Sequence, residues 1–169
     1  MGVREDFADL VASRYERLRR AAYVLCGDVH AADDLVQTAL VRAFRSRGLV
    51  EAAGDVDAYL HVLLVNTYRT GLRRRWRGEI SSGLLLAGEA GGGSSGPDER
   101  RLDVKEALMS LGAEHRRVLV LRYMADLSEA ETARALGCSV GTVKSRTSRA
   151  LAALRTDEGA QQALAQGER

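Results

Sequence analysis

The densest chemistry in the sequence lies between Ser128 and Arg155. A short amphipathic run ends at Leu136-Gly137, a turn Gly137-Cys138-Ser139 follows, and a second run starts at Val140. Glycine permits a tight left-handed turn there. Ser128 with Glu131 three residues on has the spacing of a capping box, and Ser139 caps the next helix by the same logic. On the second run Val140, Val143, Thr147, Ala150, Leu151 and Leu154 recur at packing spacing. Gly141, Thr142, Lys144, Ser145, Arg146, Ser148 and Arg149 fall opposite them, with no acid from Val140 to Arg155. Hydroxyls and cations on such a helix bond phosphates and base edges, and the helix dipole adds positive potential at its start. This is the pattern of a helix-turn-helix whose second helix enters the major groove. A plain helical hairpin with a solvated cationic face is the alternative; the agreement of turn, caps, stripe and charge speaks against it.

Two further clusters stand nearer the N-terminus. Arg69, Arg73, Arg74, Arg75 and Arg77 fall close together at the end of an apolar run, with Tyr68 and Trp76 interleaved and Asn66 just upstream. Cations that track a backbone beside aromatics for stacking are the ingredients of single-strand capture. A solvated helix end, where cations are favourable in any case, accounts for the charge alone. Asp28, His30, Asp33 and Asp34 lie close enough to suggest a metal or acid–base site. Acids at a helix start are stabilised by the dipole, however, and no other acid-rich motif supplies the remaining ligands. An exposed polar helix face, open for docking, is the expectation, with no metal.

Helices must position these groups. Phe7, Val11, Tyr15, Leu18, Ala22 and Leu25 recur at helical spacing, and Gly27-Asp28 ends that run. A second helix is expected from about Ala31 to Ser46, with Leu35, Ala39 and Ala43 on one stripe, and then a loop from Gly48 to Asp57. A third, from Val56, is apolar almost all round and should sit centrally before it reaches the arginines. Further on, Leu102 to Leu111, Ala113 to Met124, Ser128 to Leu136 and Val140 to Leu154 read as helices, with Gly112, Asp126 and Gly137 between them. Between the two sets, Gly78 to Arg100 contains Gly91-Gly92-Gly93-Ser94-Ser95-Gly96-Pro97, too poor in apolar groups to offset its ordering entropy. The expected organisation is a domain over 1–77, a linker over 78–100, a domain over 101–155 and a flexible tail over 156–169. Helical bodies this small are marginal alone, which points to work inside a larger assembly.

Composition agrees with an all-α protein. The chain has 169 residues, 46% hydrophobic and only 5% aromatic, with Pro97 as its single proline. No apolar stretch reaches the roughly 18–20 residues that cross a bilayer, and acids follow Met1 at once, so a cytoplasmic location is expected. Cys26 and Cys138 are isolated, with no CxxC and no histidine at ligand spacing, and read as small buried thiols in a reducing compartment rather than a redox pair. Net charge is only +2, but it is distributed as +3 over 1–77, −3 over 78–100, +4 over 101–155 and −2 over 156–169. Two basic modules flank an acidic linker.

The order Asp33-Asp34-Leu35-Val36-Gln37, an apolar helix ending in arginines, a loose linker, then Leu119-Val120-Leu121-Arg122-Tyr123 and Thr142-Val143-Lys144-Ser145-Arg146 resembles the extracytoplasmic-function (ECF, group IV) sigma factors of the sigma-70 family. The resemblance covers about residues 5–155. It implies that the helix bearing Asp33, Asp34, Leu35 and Gln37, with Arg42 and Arg45 beside them, grips the clamp of the large polymerase subunit. It implies that the loop from Gly48 to Asp57 takes a flipped promoter base, and that Tyr59, Asn66, Arg69, Arg73 and Trp76 serve the opened strand. It implies that Thr142, Lys144, Ser145, Arg146 and Arg149 read the upstream promoter element, and that the same domain docks on the polymerase flap. Members are commonly held inactive by an anti-sigma factor. Thr38, Tyr59 and Gly112 stand where the family often has Glu, Trp and Pro.

The mechanism so implied is binding, not catalysis, and needs no cofactor. Flipping and unstacking bases costs a few kcal/mol each, so an opened promoter must be held by stacking, pockets and backbone cations. Two other readings differ in what they require. A free-standing helix-turn-helix regulator would dimerise over two half-sites. A metal-dependent phosphodiesterase built on Asp28, His30, Asp33 and Asp34 would need those four groups free to ligate.

Overall fold

In the computed structural model, which describes the backbone of residues 6–76 and 99–156 and the side chains of 6–74 and 105–155, the first apolar run splits in two. The helices are α1 (Phe7–Ala12) and α2 (Tyr15–Cys26). The Ser13 hydroxyl and the Arg14 guanidinium both donate to the Leu10 carbonyl, at 3.0 and 2.9 Å, and so take the acceptor that a continuous helix would offer to the Arg14 amide. Periodicity counts apolar positions and is blind to this competition. Gly27, at φ 72°, ends α2 in the left-handed region. Asp28 then accepts from the Ala31 amide at 2.8 Å and starts α3 (Val29–Arg45).

The expected loop after α3 is in part helical, because α4 (Arg47–Ala52) fills its first half. Gly48 reads as a breaker, but it is exposed, while Val50 is fully buried and anchors the turn to the core. Asp55 accepts from the Ala58 amide at 2.9 Å and opens α5 (Val56–Trp76). That helix packs against α2, α3 and α4, the central place its apolar character requires. Leu18, Ala21, Ala22 and Leu25 of α2, Leu35, Val36, Ala39 and Ala43 of α3, and Leu60, Leu64, Val65 and Tyr68 of α5 make up the buried core.

The chain divides into two compact units, Met1–Ala87 and Gly88–Arg169. The second begins, among the described residues, with α6 (Glu99–Ser110), so helix starts inside the stretch expected as linker; residues 78–98 of that stretch, residue 77 before it and the tail after Thr156 lie outside the described residues. Next comes α7 (Ala113–Leu119), whose last turn widens into a π turn over Val120–Met124, where the Ala125 amide reaches the Val120 carbonyl at 3.0 Å. Asp126, at φ 53°, turns the chain, and Arg122 ties down the Leu127 carbonyl beyond it. Ser128 and Glu131 form the expected capping box of α8 (Glu129–Leu136), and the bonds from Ser128 hold the Glu131 carboxyl below its usual range. Gly137 is left-handed at φ 66°, with the Cys138 amide on the Ala133 carbonyl and the Gly137 amide on that of Arg134. This is a Schellman turn. Ser139 accepts from the Thr142 amide at 3.1 Å and α9 (Val140–Thr156) follows. No strand occurs among the described residues.

One core residue makes the first unit sensitive to acid. His61, 1% exposed, donates through Nδ1 to the Asp57 carbonyl at 2.7 Å, which leaves Nε2 bare and without a partner. Burial pushes its pKa below the ordinary 6.5; the Asp57 carbonyl offsets this in part, and the positive charge of Arg17 adds to the lowering. The folded state therefore binds fewer protons than the unfolded one, and the stability this confers is complete above pH 6.5 and lost as pH falls below it. Urea midpoints of the full chain should drop between pH 7.5 and 5.5, and His61→Gln should flatten that slope. A second denaturation series separates wall from surface on α3: Leu35→Ala should cost about 2–5 kcal/mol, and Gln37→Ala less than about 0.5 kcal/mol.

Candidate functional site

Helix α9 presents its groups by simple rotation. Val143 and Ala150, both 0% exposed, face α7 and α8 with Thr147, Leu151 and Leu154 beside them. Gly141, Lys144, Ser145, Ser148 and Arg149 follow at three- and four-residue steps on the opposite side, all exposed. Two expectations need correction. Val140, assigned to the packing stripe, is exposed, because it sits at the first turn where the helix has cleared its neighbours. Arg146, assigned to the open face, lies three residues after Val143 and four before Ala150, on the packed row, and its side chain is only 25% exposed. Its guanidinium meets Glu114 of α7 at 3.0 Å. Thr142 is half-buried, its hydroxyl 2.9 Å from that of Ser139, and its carbonyl accepts from Ser145. Lys144 is 63% exposed and stands 3.7 Å from Glu129 at the start of α8. Glu114 and Glu129 are the residues that sequence reasoning missed: each acid is distant in sequence from the cation it meets.

Helix α5 carries the second set. Tyr59, Asn66 and Arg73 are seven residues apart and share one row, with Arg69 on its flank. Tyr59, Asn66 and Arg69 are half-buried, and Arg73 and Arg74 are exposed. Tyr68, expected to interleave with the cations, is 6% exposed and belongs to the core, so it offers no stacking face. The side chains of Arg75, Trp76 and Arg77 lie outside the described residues.

The third set is on α3. Asp34, Gln37, Thr38, Val41 and Arg45 form an exposed row, and Phe44 beside it packs edge-on to Phe7 with Arg47 over its ring. Leu35 is turned to the core at 5% exposure; it positions this row and is no part of its surface. Arg42 reaches across to the Thr67 hydroxyl of α5 at 3.4 Å and is held within the unit. Asp33 accepts from Arg19 of α2 at 2.7 Å and raises the Arg19 pKa further. Asp28 is occupied as a helix cap and Asp33 by Arg19, so the four groups near the start of α3 are not free to ligate together. No group of three or more metal-ligating side chains occurs among the described residues. Neither Cys26 nor Cys138 is in a disulfide, and both are half-buried, one in each unit. None of the described helices is long and apolar enough to cross a membrane.

These three rows can be set beside known proteins. The family model for sigma-70 region 2 matches residues 10–78, and that for sigma-70 region 4 matches residues 101–154. The chain is 36% identical over 157 residues to the RNA polymerase sigma-E factor of Streptomyces coelicolor, covering 93% of this chain and 88% of that protein. It is 30% identical over 171 residues to the ECF RNA polymerase sigma factor EcfG of Rhodopseudomonas palustris, covering 95% and 91%. Among solved structures, sigma factor RpoE of Bartonella quintana, crystallised with the anti-sigma factor NepR, matches with a TM-score of 0.73 at 29% identity, over 90% of this chain and 96% of that one. An exposed polar row on α3, an arginine-ended central helix and a capped helix-turn-helix, in that order along one chain, thus come together in a member of the ECF group of sigma-70 family RNA polymerase sigma factors.

Proposed function

We propose that the exposed row of α3 docks on core RNA polymerase, that the α5 row and the turn before it hold the opened promoter strand, and that α9 reads the upstream element. The observation that carries this reading is the division of each helix into one buried wall and one row, exposed on α3 and α9 and half-buried to exposed on α5, of the right chemistry. On α3 the docking set is Asp34, Gln37 and Arg45, with Val41 in the same row. On α5 it is Tyr59, Asn66, Arg69 and Arg73. On α9 it is Lys144, Ser145 and Arg149, with Thr142 at the helix start, where exposed donors suit phosphates and base edges.

The modest net charge fits conditional binding. A net charge of only +2 gives the whole chain little general attraction to duplex. Two weak readers gain from one another only when their separation matches the promoter spacing, and polymerase fixes that separation. An anti-sigma factor is the expected inhibitory partner, supported by the complex in which the Bartonella quintana relative was crystallised. The cytoplasm, where polymerase is found, is the compartment this function requires. A free-standing dimeric regulator would leave the rows of α3 and α5 without a purpose.

Run-off transcription with purified polymerase lacking any sigma factor tests the reading over a library of promoters. The full chain should restore initiation on a subset of templates; no initiation on any template overturns it. Asp34→Ala combined with Gln37→Ala should weaken capture of core polymerase about tenfold or more and leave the ranking of promoters unaltered. Without polymerase, the chain should retard promoter duplex only weakly in a gel. A tight, sequence-specific shift by the protein alone would count against polymerase-conditional recognition.

A further inference from the structure

The cations of α9 are not equivalent. Arg149 is exposed and makes no hydrogen bond or ion pair among the described residues. Lys144 is mostly exposed and loosely met by Glu129. Arg146 differs from both. It occupies the packed row with Val143 and Ala150, three-quarters of its side chain is covered, and its guanidinium stands on Glu114, the second residue of α7. Glu114 also lies 3.9 Å from Arg117 of its own helix, so one carboxylate is shared between two elements that flank the core. To reach a DNA groove, Arg146 would have to leave its cover and abandon that carboxylate.

We infer that Arg146 is a positioning residue: braced by Glu114, it sets the angle at which α9 leaves α7, and the reading of the upstream element falls to its exposed neighbours Lys144, Ser145, Ser148 and Arg149. The inference rests on the proposal that α9 reads promoter DNA. An exposed ion pair contributes little to stability. Its use here is geometric, since a reading helix must be held within a fraction of an ångström and a few degrees of its productive pose. The pair ties the middle of α9 to the start of α7, one turn before Ala150 enters the core with Leu111 and Leu119.

Charge exchange distinguishes a brace from a reader. With holoenzyme assembled from the full chain, the measured quantity is the ratio of initiation on a promoter with its preferred upstream element to one with that element scrambled. Arg146→Glu and Glu114→Arg should each lower the ratio about three- to tenfold, and the two together should recover most of it with the original ranking of upstream sequences. Arg146→Lys should retain a larger share of the ratio than Arg146→Glu. Circular-dichroism melting of each full-length variant accompanies the assay, so that a lost fold is recognised, and ratios are compared at temperatures where every variant is folded. If the double exchange stays as low as Arg146→Glu, or recovers with a new preferred sequence, Arg146 contacts DNA and the inference fails. It fails equally if both single variants keep the full ratio. Arg149→Ala reports separately on the parent reading: it should alter upstream preference, and if it does not, α9 is not the reader, whatever Glu114 and Arg146 do to each other.

Discussion

A helix that both builds a core and offers a binding surface has only one way to face, and this constraint governs each functional element of the chain. In α3, burying Leu35, Val36, Ala39 and Ala43 leaves Asp34, Gln37, Val41 and Arg45 outside. In α5, burying Leu60, Leu64, Val65 and Tyr68 leaves the row through Tyr59, Asn66 and Arg73. In α9, burying Val143 and Ala150 decides which cations look outward. Each buried leucine or valine contributes about 1.5–3 kcal/mol, far more than a surface ion pair, so packing chooses the rotation of the helix and the polar groups follow. The exposed rows are fixed by the core itself.

Electrostatics then works within that frame. Both units carry an excess of arginine, yet a good part of it is answered internally: Arg14 and Arg17 by Asp57, Arg19 by Asp33, Arg146 by Glu114 and Lys144 by Glu129. Most of these pairs are half-exposed and weak in water. Their effect is on which cations stay outside such pairs among the described residues; Arg73 and Arg149 are two exposed examples. A protein that must find promoters only in company benefits from this thrift, because non-specific affinity for duplex grows steeply with the number of phosphates neutralised.

Periodicity and turn chemistry made most of the fold legible. The caps at Ser128 and Ser139, the left-handed turn at Gly137 and the central place of α5 all follow from residue type and spacing alone, because each is local. What was not legible depends on contacts between residues far apart, or on competition for a single carbonyl. The break at Ser13 arises from two side chains seeking the Leu10 carbonyl. The helix α4 arises because Val50 finds a core that nothing in its neighbourhood announces. Leu35 and Tyr68 sit among polar motif residues and share their number range but not their direction. Arg146 sits in a run of cations, and only the phase of the helix relative to Val143 and Ala150 shows it to be on the inner side. That phase was present in the sequence; the charge pattern drew attention away from it.

The same phase argument bears on how such a chain becomes selective. Base contacts in the groove are worth about 1–3 kcal/mol each, and opening a duplex costs a few kcal/mol for each base unstacked. A face with a few cations and some hydroxyls cannot meet that cost alone, and neither can a single strand-holding row. Their sum can, provided both are engaged at once and neither spends its affinity on lone encounters. Under the proposed function it is the polymerase that brings the two readers to one promoter together. Selectivity then belongs to the assembly, and each helix contributes a part too weak to act by itself.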